Sequence, residues 1–242
     1  MKSDAPGLVA DVVRFSWVDG PGNRFVVFLQ GCNLNCLACH NPHTIPGATS
    51  RARVVEVADL VDEVRPLAAF LSGVTVSGGE ATNQASFVEE FFGALGADGG
   101  LPHLSRFIDS NGFTTPQVWR SLLPVTDGVM LDLKALDPAT HRYLTGEDNV
   151  QVVRSIRQLA ESGKLYEVRL LLIPGINDDP AALSATAHWL LAVDPEMRVK
   201  VIGFRRHGVR ASARHWPEPD QRKLDAYGTQ LTELGVRHLE VV

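Results

Sequence analysis

Only three cysteines occur in the 242 residues, and all of them fall between Gly31 and Asn41. An odd number of thiols packed into one loop cannot staple a fold of this length, so a disulfide framework is excluded. The same scarcity excludes a second thiolate-ligated centre elsewhere in the chain. No apolar run approaches the roughly 20 residues that cross a bilayer, and the opening MKSDAPGLVA lacks the apolar core of a secretory leader. With 23 basic against 28 acidic side chains, the net charge is −5. Such a balance offers no global attraction to nucleic acid or anionic lipid. The expectation is a cytoplasmic protein with reduced thiols and neither a nucleic-acid nor a membrane partner.

What is present is the material of one large core. Apolar residues make up 45% of the chain, enough for a single α/β domain over 1–242. No repeat, linker or low-complexity block interrupts it. Strand-like runs are read at Phe25–Gln30, Val74–Ser77, Arg106–Asp109, Gly128–Leu133, Tyr166–Ile173, Arg198–Phe204 and Arg237–Val242. Between them, Val54–Leu71, Gln84–Leu95, Pro116–Leu122, Val150–Ser162, Ala181–Ala192 and Pro219–Leu234 carry helical spacing. Alternating β and α units predict a parallel sheet with right-handed crossovers. Six or seven units are too few for a regular eight-unit barrel, leaving an incomplete barrel or an open doubly wound sheet. Either places functional groups at the carboxyl ends of the strands.

The cysteines Cys32, Cys36 and Cys39 stand at spacing C-x3-C-x2-C. Thiolates are the usual ligands of iron–sulfur clusters. Three of them would leave one iron of a [4Fe–4S] cube without a protein ligand, and an open coordination site is where chemistry can be done. Because His40 follows Cys39 directly, a Cys3His zinc site is the other reading of the loop.

Other polar residues gather where the strand rule places them. The cysteine loop follows the first predicted strand, Gly78-Gly79-Glu80 the second, Asp109-Ser110-Asn111-Gly112 the third, and Asp132 and Lys134 end the fourth. Each has a plainer explanation. The paired glycines can make a sharp turn, or let a ligand approach bare backbone. Alternation puts Met130, Asp132 and Lys134 on one face of their strand. There the acid and base either neutralise each other or meet a ligand. Arg169 shares a face with Glu167, which it can pair with, although its planar fork also suits a ligand carboxylate.

Taken in order, these segments resemble a known family. The cysteine loop is similar to the cluster motif of radical S-adenosylmethionine (SAM) enzymes. The likeness extends to the glycyl-radical-enzyme activases of the pyruvate formate-lyase-activating type. Val18-Asp19-Gly20-Pro21-Gly22-Asn23-Arg24, Phe28-Leu29-Gln30-Gly31-Cys32, Cys39-His40-Asn41, Ser77-Gly78-Gly79-Glu80, Asp109-Ser110-Asn111-Gly112, Met130-Leu131-Asp132-Leu133-Lys134 and Ile173-Pro174-Gly175 all occur in the family's order. The spacing of the cysteines identifies only the superfamily; the ordered set points to activases.

The resemblance implies an incomplete (β/α)6 TIM-like barrel of parallel strands, with a lead-in over 1–24 and a C-terminal helix and strand over about 217–242. It implies that Cys32, Cys36 and Cys39 ligate a [4Fe–4S] cluster whose fourth iron chelates SAM. Gly78, Gly79 and Glu80 would line the pocket for the SAM amino group. Asp109, Ser110, the backbone of Met130 and Asp132 match a monovalent-cation site. Lys134 and Arg169 fit as charge partners of SAM, and His207 would lie near the adenosine. The implied reaction is reductive cleavage of SAM to a 5′-deoxyadenosyl radical, which takes hydrogen from a glycine Cα of a partner glycyl-radical enzyme. Asp19 would meet the incoming glycine loop, and the electron would come from a flavodoxin or ferredoxin.

The chain departs from the family pattern in places. Ala38 and Ala81 replace a usually bulky residue and a frequent Pro, and no ferredoxin-like insert with extra cysteines lies between Asn41 and Val54. One stretch runs against the acidic average: Arg198, Lys200, Arg205, Arg206, Arg210 and Arg214, with His207 and His215. It reads as a solvated basic face or as a docking surface. The rival functions are a radical SAM enzyme acting on anaerobic ribonucleotide reductase or a small molecule, and a non-catalytic zinc-binding module.

Overall fold

The computed structural model describes residues 6–242. They form an α/β fold whose sheet is mostly parallel, and the chain divides into two compact units. One comprises the residues up to Asn33 together with His43–Ser110 and Thr114–Met130; the other comprises Leu34–Pro42, Asn111–Phe113 and Leu131–Val242.

In the first unit, β1 (Gly7–Ser16) pairs antiparallel with β2 (Arg24–Leu29) and with the short β3 (Arg53–Val55). Beyond β2 the pairing turns parallel: β2 lies beside β4 (Gly73–Gly78), and β4 beside β5 (Ser105–Ser110). The central strands read RFVVFL and GVTVSG and are buried along nearly their whole length, as parallel strands covered on both faces must be. Helices α1 (Val57–Val64), α2 (Ala85–Ala97) and α3 (Pro116–Leu122) supply cover through Leu60, Phe87, Phe91, Phe92 and Trp119.

Arg24 anchors the amino end of this unit. Although no part of it is exposed, its Nε donates to Thr75 Oγ1 at 3.0 Å, its Nη1 to Ser105 Oγ at 2.6 Å, and its Nη2 to the Val74 and Ser105 carbonyls at 2.7 and 2.9 Å. The guanidinium also lies 4.8 Å from the centre of the Phe107 ring. Thr75 passes the connection on by donating to the Asp19 carbonyl at 2.8 Å. Thus the Asp19-Gly20-Pro21-Gly22 turn is folded onto the strands, with Gly20 and Gly22 at φ of +132° and +72°.

Strand β6 (Gly128–Asp132) carries the chain from one unit to the other. The second unit holds α4 (Pro138–Thr145), α5 (Val150–Glu161), β7 (Leu165–Leu172), α6 (Pro180–Val193), β8 (Arg198–Gly203), α7 (Gln221–Glu233) and β9 (His238–Val241). Strands β7, β8 and β9 pair in parallel in that order. Three of its helices begin with an aspartate that accepts backbone N–H groups: Asp137, Asp179 and Asp220. Proline follows the cap in α4 and α6. Asp178 ties the turn after β7 to α7, accepting from Gly175 N at 2.6 Å, Tyr227 Oη at 2.8 Å and Lys223 Nζ at 2.6 Å. Burial works against its charge, but these donors hold the carboxyl below its ordinary range.

The predicted strands and most predicted helices are present, with differences at three places. Val54–Leu71 is not one helix: it holds the end of β3, then α1, then a 3-10 segment from Arg65 to Phe70 into which Pro66 fits. Strand β1 is additional, and so is α4.

Two outcomes follow for stability. Arg24→Met removes the donors from several buried acceptors and is expected to lower the unfolding free energy by about 3 kcal/mol or more, measured by chemical denaturation. Asp178→Ala is expected to cost about 2 kcal/mol at neutral pH, because Tyr227 Oη and the Gly175 amide lose their acceptor while the half-exposed Lys223 stays solvated. Because the folded pKa of Asp178 is depressed, its contribution is present above the ordinary aspartate value of about 4 and is lost as pH falls through the folded value. The gap between wild type and variant should therefore close in acid.

Candidate functional site

At the carboxyl edge of the first unit, Cys32 leaves β2 on a backbone fixed at both of its neighbouring amides. Gly31 N donates to the Thr44 carbonyl at 2.8 Å and Cys32 N to that of Ile45 at 3.1 Å. The turn after β4 closes against the same segment, with Gly79 N on the Leu29 carbonyl and Glu80 N on the Gly31 carbonyl, both at 2.8 Å. A Cβ on Gly78 would stand 2.1 Å from Leu29 N, and one on Gly79 would stand 2.1 Å from the Gly31 carbonyl oxygen. It is therefore the chain's own backbone that makes the close approach these glycines permit.

Glu80 is 1% exposed and caps the following 3-10 turn. Its Oε1 accepts from Thr82 N at 2.9 Å and from Ser110 Oγ at 2.8 Å. Ser77 Oγ donates to Asp109 Oδ2 at 2.8 Å. The ends of β4 and β5 are thereby cross-linked by two hydroxyl–carboxylate bonds. Met130, on β6, is fully buried.

The second unit contains the remainder of the cysteine loop, Leu34–Pro42. Helix α4 sets its course. The last carbonyls of a helix have no partner within it. Here the Thr145 carbonyl accepts from Asn35 N and the Leu144 carbonyl from Leu37 N, both at 2.9 Å. Gly146, at φ +91°, stops the helix in a left-handed residue so that those carbonyls stay available. Sequence reasoning missed α4, although Asp137-Pro138 at one end and Gly146 at the other are its start and stop signals.

Between the two cysteines of this unit, Ala38 is buried in a cluster with Leu144, Ile173, Phe204, Val209, Ala213 and Trp216. Bulk expected at position 38 is supplied in this cluster by Phe204 and Trp216. His40 places its Nε2 3.0 Å from the Arg205 carbonyl and its ring against that of Phe204, centroids 6.4 Å apart. With Nε2 engaged by the backbone, Nδ1 is the ring nitrogen through which His40 could meet a metal. Gly208 lets the following loop approach: a Cβ there would meet the His40 carbonyl at 2.8 Å.

All three cysteines are free thiols and partly exposed. Burial pushes Cys36 up to about 11, with Lys134 the strongest influence in the other direction. Cys39 is also raised, by burial first, against the Asn41 amide and the charges of Lys134 and Arg210. Buried thiols of this kind favour the thiolate, the ligating form, once a cation shares the site. This donor chemistry fits a thiolate-ligated iron–sulfur cluster. Among the described residues no three His, Cys, Asp or Glu side chains converge on one point suited to a single metal ion.

Lys134 donates to Asp132 Oδ2 at 2.6 Å. Burial opposes its charge, but Asp132 and the thiols of Cys36 and Cys39 together hold the ammonium above its ordinary value. Arg169, 7% exposed, places its Nε 2.7 Å from Glu167 Oε1. Asp132 and Lys134 thus act electrostatically on two of the cysteines, whereas Arg169 is braced by its strand neighbour. His207 is exposed in the loop after β8.

Comparison with known proteins places the chain. Residues 26–185 match the model of the radical SAM superfamily. Pyruvate formate-lyase-activating enzyme of Streptococcus mutans is 34% identical over 211 residues, covering 84% of this chain and 79% of that protein. Pyruvate formate-lyase 1-activating enzyme of Escherichia coli is 40% identical over 168 residues, covering 67% and 66%. In solved structures, SuiB of Streptococcus suis bound to its precursor peptide aligns with a TM-score of 0.66 at 15% identity, over 93% of this chain and 47% of that one. A domain of pyruvate-formate lyase-activating enzyme from Bacteroides vulgatus aligns with a TM-score of 0.57 at 19% identity, over 68% and 96%. The fold, the cysteine loop and these relatives together make the chain a member of the radical SAM superfamily, within the family of pyruvate formate-lyase-activating enzymes.

Proposed function

We propose that this chain is a glycyl-radical-enzyme activase that uses SAM and a [4Fe–4S] cluster held by Cys32, Cys36 and Cys39. The observation that carries the reading is the cysteine loop itself: three cysteines at C-x3-C-x2-C, none in a disulfide, with the Cys32 amide held by the Ile45 carbonyl and the Asn35 and Leu37 amides beside Cys36 held by the end of α4. When bound, the cluster and SAM supply a one-electron reductive cleavage that releases methionine and yields a 5′-deoxyadenosyl radical able to take hydrogen from a glycine Cα.

The protein's own part is to hold and to exclude. Lys134, charged and paired with Asp132, sets a positive potential that favours the ligating form of Cys36 and Cys39. Gly78, Gly79 and Glu80 form the backbone edge that would receive the SAM amino group, and their rigidity comes from the bonds to Leu29, Gly31 and Ser110. Arg169 is oriented by Glu167, and a fixed guanidinium suits the carboxylate of SAM. His207 is the residue offered to the adenosine. By resemblance to the family, Asp109, Ser110, the Met130 carbonyl and Asp132 are the residues that would supply oxygen donors to a hard monovalent cation. Asp19, whose carboxylate accepts from Ser16 Oγ, is the candidate contact for the glycine loop. The partner is a glycyl-radical enzyme, and a flavodoxin or ferredoxin supplies the electron.

Two measurements test this. Cys36→Ser, purified and reconstituted anaerobically, should lose the brown cluster absorbance, bound iron and sulfide, and all 5′-deoxyadenosine formation under dithionite. Retention of cleavage would overturn the cluster assignment. The wild-type protein, reduced with SAM, should produce a glycyl signal in electron paramagnetic resonance only when a glycyl-radical enzyme is present. SAM cleavage with no signal from any such partner would leave the superfamily chemistry standing and remove the activase reading.

A further inference from the structure

The acidic chain concentrates positive charge in one place. Between Arg198 and Pro217 lie six of its 23 basic residues and none of its 28 acidic ones. The loop after β8 holds four of the arginines: Arg205, Arg206 and Arg214 are exposed and Arg210 is partly so. Their guanidiniums are held by neutral acceptors. Arg205 Nη1 donates to the Pro219 carbonyl at 3.3 Å, Arg206 Nε to that of Trp216 at 2.8 Å, Arg214 Nε to that of Val209 at 3.4 Å, and Arg210 Nη2 to Asn35 Oδ1 at 2.6 Å. Elsewhere, Arg65, Arg106, Arg169 and Arg237 each face a carboxylate within 3.0 Å. The four guanidiniums are thus positioned without an ion pair, the nearest acid to them in sequence being Glu218, whose carboxylate accepts from the Arg206 backbone N at 2.7 Å.

The same loop is packed directly on the cysteine loop. Arg210 reaches Asn35, the residue before Cys36; Arg205 receives His40, the residue after Cys39; and Gly208 lies against the His40 backbone. From the basic surface to the segment bearing two of the cluster thiols is a single layer of chain.

We propose that the Arg205–Arg214 loop is the docking surface for an acidic one-electron carrier protein, and that the carrier's electron enters through the cysteine loop on which this surface rests. This rests on the activase reading, which requires an electron at the cluster. In each encounter the reduced carrier gives up one electron and the cluster takes up one; no bond is made or broken and no proton moves. Arginines without an ion pair steer an oppositely charged partner and raise its association rate without demanding a shaped pocket. An electron needs only proximity, which this surface provides, whereas a glycine backbone must reach SAM itself.

The test uses the reconstituted holoprotein and its Arg206→Glu/Arg214→Glu variant, with reduced flavodoxin as the probe. Neither substituted side chain bonds to the cysteine loop. At low ionic strength the Kd for flavodoxin is expected to rise about tenfold or more, and the difference should shrink as salt is added. The rate of 5′-deoxyadenosine formation driven by flavodoxin should fall in the same proportion, while the rate driven by dithionite stays unchanged. An Arg206→Gln/Arg214→Gln variant should lie between, which guards against a misfolded charge reversal. Unchanged flavodoxin affinity would overturn the proposal, as would equal losses with both reductants. Weakened binding of the glycyl-radical enzyme with intact flavodoxin binding would also overturn it, by assigning the surface to the protein substrate. Failure of the wild type to cleave SAM under dithionite would instead defeat the activase reading, while the affinity measurement would still decide the docking surface.

Discussion

Two hydrogen bonds from the end of a short helix govern the chemistry-bearing loop. Asn35 and Leu37 donate to the carbonyls of Thr145 and Leu144, groups that any α-helix leaves without internal partners. A loop with three cysteines in eight residues has little side-chain bulk with which to fold itself. Its conformation is borrowed from α4, whose own ends are fixed by Asp137 and Gly146. The negative end of the helix also points its carbonyls at the loop amides, an arrangement that orders backbone donors near sulfur without adding a competing ligand. The remaining support is apolar, from the Phe204 and Trp216 cluster around Ala38.

Elsewhere in each unit the strand ends are stiffened by charged groups that come with partners. Glu80 caps a turn and accepts from Ser110; Lys134 neutralises Asp132 and acts on the thiols; Glu167 orients Arg169. In each case a charged group is buried or half-buried with a partner already in place, as the cost of desolvation demands. Each such group is held in one orientation by its partner, which leaves its side chain little conformational freedom.

Much of the fold was legible because its central strands are apolar runs bounded by Gly or polar turns, and because helices such as Pro116–Leu122 announce themselves with Thr115 and Pro116. Strand β1 was not, since its pairing with β2 shifts register between Val9 and Asp11 and again between Val13 and Ser16, which breaks the period of two on which recognition depends. Helix α4 has few apolar residues among its eight, so no periodicity marks it and only its Asp137-Pro138 start and Gly146 stop could announce it. The cysteine spacing, by contrast, was fully visible, and so were the strand ends that carry Gly78, Asp109 and Asp132. What the sequence could not reveal was the partner of each group. Arg24 looked like one residue of a motif and is a fully buried hub, while the bare backbone at Gly78 and Gly79 serves a crossing of chain on chain. Those facts depend on contacts between segments dozens of residues apart.

The packing around Ala38 carries an evolutionary corollary. Its methyl group lies against side chains from the ends of two strands, the end of α4 and the loop after β8, in an interior with no room to spare. Volume added at position 38 must be surrendered at 204 or 216, or the cysteines on either side are displaced. Substitutions at these three positions are therefore tied into compensating sets, and a lineage that acquires an aromatic ring beside its third cysteine should have trimmed one of the two rings beneath it.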